Sequence, residues 1–157
     1  MEAAIRDIMT REVESAQPDM TIQDAARMMK SRDIGSLPVC EGRKVIGVVT
    51  DRDITIRGVA DGRAPGSTRV EEVMSRQVFS VKEDARLVEA ERLMHDQQLR
   101  RLPVVNGEGD LVGYLALAKL ARTESAEQAG KVIQGVSQTS KPAPMESHEK
   151  KKRQKSR

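Results

Sequence analysis

The chain has 157 residues and a formal net charge of +3, with 38% hydrophobic residues and only two aromatic ones, Phe79 and Tyr114. That length suits one compact domain or two small interlocked ones, with a core of Val, Ile, Leu, Ala and the eight Met. The lone Cys40 excludes an intrachain disulfide, two histidines beside it leave no zinc ligand set, and no apolar run reaches the roughly 18 residues of a membrane span.

The opening stretch Met1-Glu2-Ala3-Ala4-Ile5-Arg6-Asp7 lacks the basic-then-apolar layout of a signal peptide, so a soluble cytoplasmic protein is expected. A short helical piece, Ile5 to Met9, leads to a brief strand around Val13. Thr21 is placed to cap a helix whose apolar stripe is Ile22, Ala25, Ala26 and Met29. Ser36 to Cys40 and Lys44 to Thr50 flank Glu41-Gly42-Arg43 and predict a hairpin, after which a helix starts at Asp51. Asp61 to Thr68 is turn and linker material. The same order then recurs. Val70 to Met74 is helical, Val78-Phe79-Ser80-Val81 is a strand, and Asp84 caps a helix carrying Leu87, Ala90 and Met94. A hairpin follows, Leu102 to Val105 and Leu111 to Leu115 around Asn106-Gly107-Glu108-Gly109, and a last helix opens at Leu117 and is expected to extend toward Gln134. Past Gly135 there is no apolar face, so 136–157 is read as disordered. From Lys141 to Arg157, seven Lys or Arg against two Glu give +5, which leaves −2 on residues 1–140. The basic character belongs to the tail.

Two stretches of the chain are one unit written twice. Ile8-Met9-Thr10 recurs as Val73-Met74-Ser75, and Ile34-Gly35-Ser36-Leu37-Pro38-Val39 recurs as Leu99-Arg100-Arg101-Leu102-Pro103-Val104. The offset is 65 from Pro38 to Pro103 and 66 from Gly47 to Gly113. A long period present only twice indicates a pseudo-symmetric pair, because a solenoid needs three or more short repeats. The expected class is α/β (α+β), with two β-α-β-β-α repeats packed sheet to sheet. The division is 5–60 for repeat one, 61–69 for a linker, 70–124 for repeat two, 125–135 for a helix extension and 136–157 for the tail. The copies differ where they end: Gly47-Val48-Val49-Thr50-Asp51-Arg52-Asp53 against Gly113-Tyr114-Leu115-Ala116-Leu117-Ala118-Lys119.

These ordered landmarks, Asp7-Ile8-Met9-Thr10, Leu37-Pro38-Val39 and Gly47 through Asp53, resemble the cystathionine-β-synthase (CBS) domain, which occurs in tandem pairs called Bateman modules. The resemblance covers about residues 5–122, and the chain is similar to small stand-alone bacterial CBS-pair proteins. It implies an adenine nucleotide bound in the cleft between the repeats, and association as a flat two-fold homodimer.

Thr50 and Asp53 admit two accounts. Thr-x-x-Asp at a helix start is a capping box, with the hydroxyl accepting from a backbone N–H and the carboxylate set against the helix dipole. The same geometry serves a nucleotide: a helix N-terminus attracts anions, the hydroxyl reaches a phosphate, and the carboxylate accepts from ribose hydroxyls. The resemblance favours the second account. Arg100-Arg101 correspond to Gly35-Ser36 in the first copy, so the fold does not require charge there. The resemblance implies that basic residues at this position face the phosphate of a nucleotide whose ribose is held by the other repeat's Asp, a task that suits forked guanidinium donors. Arg52 adds to the phosphate side. Val48, Val78, Phe79 and Leu99 are the candidates around adenine, and each is equally explicable as core. In the mirror site Lys119 and Ala116 replace Asp and Thr, and a lysine cannot accept from hydroxyls. That site is expected to be empty, or Lys119 to lean toward the phosphate of the first.

No activated nucleophile or Walker-type glycine loop can be assembled, so the expectation is a non-enzyme needing no cofactor. The reading is a regulatory sensor of an adenine nucleotide, AMP before ADP or ATP, with S-adenosylmethionine as an alternative ligand, acting on an unidentified partner protein by population shift. No membrane association is expected. Two rivals stand beside it: nucleic-acid binding through the tail Lys150-Lys151-Lys152-Arg153-Gln154-Lys155, which has almost no aromatics to stack bases, and a structural dimer with a vestigial cleft.

Overall fold

Within residues 3–123, which the computed structural model describes, chain order gives α1 (Ile5–Ile8), α2 (Ile22–Arg32), β1 (Ser36–Glu41), β2 (Lys44–Thr50) and α3 (Asp51–Asp53). A π-helix (Ile54–Val59) prolongs α3, and a 3-10 turn (Val70–Glu72) opens the second half. β3 (Val81–Lys82), α4 (Leu87–Gln97), β4 (Arg101–Val105), β5 (Leu111–Ala116) and α5 (Leu117–Thr123) follow. The helix extension and the tail lie outside the described residues. Among the described residues no helix is long and apolar enough to cross a membrane.

Local chemistry explains most of these elements. The Thr21 hydroxyl accepts from the Asp24 N–H at 3.1 Å and starts α2. Its stripe is narrower than the sequence suggests, because Ile22, Ala25 and Met29 are buried while Ala26 is exposed. α2 and α4 both end in a left-handed residue, Asp33 and Gln98, one repeat apart. The hairpins turn at Gly42 and Gly109, whose φ of +61° and +84° suit glycine. Both hairpins slip register at the same place, between Val39 and Cys40 and between Val104 and Val105.

Four expectations are corrected. Asp84 does not cap α4: the N-cap position is Arg86, and the Glu89 carboxylate accepts the Arg86 N–H at 3.0 Å. Asp84 sits in the preceding turn. The strand over Val78 to Val81 shrinks to Val81–Lys82, paired in parallel with Val104 and Val105. Its counterpart lies at Ala16, beside Val39, rather than at Val13. The helical piece at Val70 is only a 3-10 turn. For the two strands, ladder bonds form only where a partner strand is in reach.

The repeats are not packed as two separate beads. α1 belongs to the second repeat's core: Ile5, Ile8 and Met9 are buried with Leu87, Met94, Leu102, Leu115 and Leu120. Reciprocally, Val70, Val73 and Met74 are buried with Ile22, Ala25, Met29, Leu37, Val39 and Val49 of the first. Backbone pairs seal the exchange. Thr10 and Tyr114 exchange two N–H···O bonds of 2.9 Å, and Val48 and Ser75 exchange bonds of 3.0 and 2.9 Å. This explains why Gly47 and Gly113 fall in mid-strand. A Cβ at Gly47 would stand 2.8 Å from both Met74 Sδ and the Ser75 carbonyl oxygen, and one at Gly113 would run into Met9. The hairpin tips also meet: Lys44 pairs with its own counterpart Asp110 at 2.9 Å and bonds the Glu108 carbonyl. The Lys44 hydrogen bond holds the Asp110 carboxyl below its ordinary range.

Candidate functional site

The Thr50–Asp53 box is formed. The Asp53 N–H donates to the Thr50 hydroxyl oxygen at 3.1 Å, and the Thr50 N–H donates to Asp53 Oδ2 at 2.9 Å. The capping account is therefore correct as local structure. It uses one carboxylate oxygen. The other, Oδ1, lies 4.0 Å from Arg57 Nη1, and the Asp53 side chain is 17% exposed. The hydroxyl hydrogen of Thr50 is not used by the cap, since its oxygen acts there only as acceptor. Capping and ligand binding thus do not compete for the same atoms.

Around this box the remaining candidates fall into place unevenly. Val48 is half-buried in β2 and is bonded to Ser75, so it borders the segment that leads to Val78 and Phe79. Phe79 and Leu99 pack on the second repeat's core, and Val78 is half-buried. Arg52, Arg100 and Arg101 are exposed. Among the described residues no hydrogen bond or ion pair joins Arg100 or Arg101 to Thr50 or Asp53. Arg101 instead borders the mirror cleft, a cavity of about 250 Å³ whose lining includes Val13, Ile34, Ser36, Pro38, Tyr114 and Ala116. Ser36 is the strand partner of Thr50, as Arg101 is of Ala116.

That mirror cavity locates the candidate site by pseudo-symmetry. Adding 65 to Val13, Ile34, Ser36 and Pro38 gives Val78, Leu99, Arg101 and Pro103, and subtracting 66 from Tyr114 and Ala116 gives Val48 and Thr50. Five candidate residues therefore hold positions whose counterparts line one concavity. The mirror cavity itself is crossed by a bond the sequence does not announce, Ser36 Oγ to Tyr114 OH at 3.1 Å. Burial pushes the Tyr114 phenol upward, against smaller lowering effects of Ser36 and of the Arg101 charge. Burial likewise raises the Cys40 thiol, which is only 4% exposed and so is not poised for chemistry.

Sequence reasoning missed Tyr114 and Arg57. The first has a signal, being the chain's sole tyrosine at the position of Val48. The second stands four residues after Asp53, the spacing of neighbours on a helix face. A larger concavity of about 650 Å³ lies outside α4, lined by Lys82, Arg86 and Arg92 alternating with Asp84, Glu89 and Asp96. Its charges do not converge on one sign, and only one repeat builds it. Among the described residues no group of three or more His, Cys, Asp or Glu could hold a metal ion.

The CBS-domain family profile matches residues 5–57 and 70–125, one match per repeat. The chain is 41% identical over 136 residues to the CBS domain-containing protein YhcV of Bacillus subtilis, covering 86% of this chain and 96% of that one. The solved structure of hypoxic response protein 1, known from Mycobacterium tuberculosis and crystallised with two coordinated zinc ions, superposes with a TM-score of 0.72 at 35% identity, over 78% of this chain and 99% of that one. CBSX2 of Arabidopsis thaliana, solved in complex with AMP, superposes at 0.68 with 25% identity, over 81% and 98%.

Proposed function

The chain belongs to the CBS-domain family, and from that premise we propose that it is a non-catalytic sensor holding one adenine nucleotide, AMP first, between its repeats. The observation that carries the reading is the one-sided box: Thr50 and Asp53 are joined on the first repeat, while Ala116 and Lys119 stand at the counterpart positions. Asp53 Oδ1 accepts from the ribose hydroxyls, and the Thr50 hydroxyl donates to the phosphate. Arg101, with Arg100 and Arg52, supplies the charge that answers the phosphate. Val48, Val78, Phe79 and Leu99 enclose the base, whose edges then meet backbone groups. The AMP complex of CBSX2 supports the ligand class.

Because the site draws one wall from each repeat, a bound nucleotide favours one relative setting of the two and so changes the surface offered to a regulated protein. A homodimer fits the exposed apolar side chains Ile56, Val59 and Val88, which are 51%, 63% and 43% exposed on α3's continuation and α4.

Calorimetry with AMP, adenosine and S-adenosylmethionine tests the reading. One AMP per chain is expected. Asp53→Ala weakens it roughly ten- to a hundredfold, since hydrogen bonds to a charged group contribute about 1.5–3 kcal/mol each. Lys119→Ala changes it little, and Arg101→Ala lowers affinity for AMP more than for adenosine. An Asp53→Ala protein that binds AMP normally while melting earlier leaves the box as a cap alone and refutes the assignment. Two equivalent sites per chain refute it as well.

A further inference from the structure

Arg57 stands in the middle of the π-helix Ile54–Val59. Widening of a helix to i→i+5 bonds is uncommon and recurs at functional positions. Here it accompanies a close packing of the helix on α2, where a Cβ at the buried Gly58 would reach Ile22 Cδ1 at 2.9 Å. The side chain of Arg57 leaves the helix toward the crossing segment of the second repeat. Its Nη1 donates to the Val73 carbonyl at 3.0 Å and the Met74 carbonyl at 3.2 Å, and the same nitrogen lies 4.0 Å from Asp53 Oδ1. One guanidinium therefore faces the oxygen the cap leaves over and is itself anchored on backbone from the other half of the chain.

The mirror position lacks every part of this arrangement. At the same spacing stands Thr123, whose hydroxyl donates to the Lys119 carbonyl at 2.9 Å within its own helix. The repeats' shared fold thus does not need a cation here; it occurs only beside Asp53.

Building on the nucleotide reading above, we propose that Arg57 is a positioning residue: anchored on the Val73 and Met74 carbonyls, it fixes the Asp53 carboxylate in the direction the ribose requires. It does not touch the ligand. Its anchors lie directly before Ser75, the residue bonded to Val48, so the ribose-holding carboxylate is registered against the segment that brings Val78 and Phe79 from the second repeat. A guanidinium suits this position because it can donate to two carbonyls while keeping its charge toward a carboxylate.

A double-mutant cycle read by AMP calorimetry tests this, using Arg57→Ala, Asp53→Ala and the double variant, with Arg57→Lys as a fourth protein. Arg57→Ala is expected to weaken AMP and adenosine alike, by roughly three- to tenfold. Arg57→Lys recovers part of the loss. In the Asp53→Ala background, removing Arg57 costs less than twofold. A merely structural arginine would lower affinity by the same factor in both backgrounds, and that result overturns the proposal. A loss confined to AMP overturns it too, because Arg57 would then meet the phosphate. If Arg57→Ala does not fold, Arg57→Lys completes the cycle. Normal AMP binding by Asp53→Ala refutes the nucleotide site itself, and the proposal with it; a strong Asp53→Ala effect beside an inert Arg57→Ala refutes only the role of Arg57.

Discussion

Replacing Ile5 by alanine should unfold the wrong half of the molecule, as judged by sequence position. Ile5 is fully buried, and apart from its own segment (Ala3, Ile8 and Met9) the core around it belongs to the second repeat. Its N–H donates to the Ala85 carbonyl at 3.1 Å, and the next residue, Arg6, bonds the Glu83 carbonyl at 2.9 Å. Truncating a buried isoleucine costs the transfer free energy of the lost methylenes plus the cavity they leave, about 2–5 kcal/mol. For domains that bracket this size, each kcal/mol lowers Tm by about 2–8 °C, so a fall on the order of 10 °C is expected. Lys30→Ala, at an exposed residue of α2, is the control and should stay within about 0.5 kcal/mol of the parent. The location of the damage is the sharper measurement. Amide hydrogen exchange on Ile5→Ala should lose protection first in α4, β4 and β5, with α2 and β1 holding longer. If α2 and β1 open first, α1 packs on its own repeat and the exchange of leading segments is wrong.

Gly47→Ala should destabilise by about 1–3 kcal/mol in urea melts, because the added Cβ meets Ser75 backbone at 2.8 Å as well as the movable Met74 sulfur; an unchanged midpoint would show the strand and the crossing segment to be further apart. Tyr114 is the chain's only tyrosine, so its phenolate absorbance reports one group, and burial should carry the midpoint above the ordinary value of 10.0. Since the folded state holds this proton more tightly, its contribution to stability is complete below the unfolded pKa and is lost as pH rises through the folded one; a midpoint at or below 10.0 would contradict the burial.

The fold was legible because its signals are local. Thr21 with the stripe Ile22, Ala25 and Met29 specifies α2 by capping and period, and glycines at Gly42 and Gly109 mark both hairpins. The repeat offset places every landmark of one half on the other without reference to space. Where local signals were weak, the reading missed: Asp84 has the chemistry of a cap, but the helix begins at Leu87, and a carboxylate inside its first turn serves instead. Thr50 and Asp53 were legible as a pair because they stand three positions apart, but not the question of which oxygen the cap consumes. Spacing marks Arg57 and Tyr114 but not what they do, since each bonds a partner far along the chain, Val73 and Met74 for one and Ser36 for the other.

By itself, then, the sequence determined the paired repeats, their element order and the one-sided Thr50–Asp53 box, since these follow from spacing and from bonds between near neighbours. Tertiary structure alone decided that α1 is buried in the second repeat and Val70 to Met74 in the first. Both repeats present similar apolar grooves, so hydrophobic pattern cannot say which groove a leading segment fills. Steric fit and strand pairing can: Met9 lies against Gly113 and Met74 against Gly47, and the Thr10–Tyr114 and Val48–Ser75 bonds satisfy backbone groups that no local partner reaches.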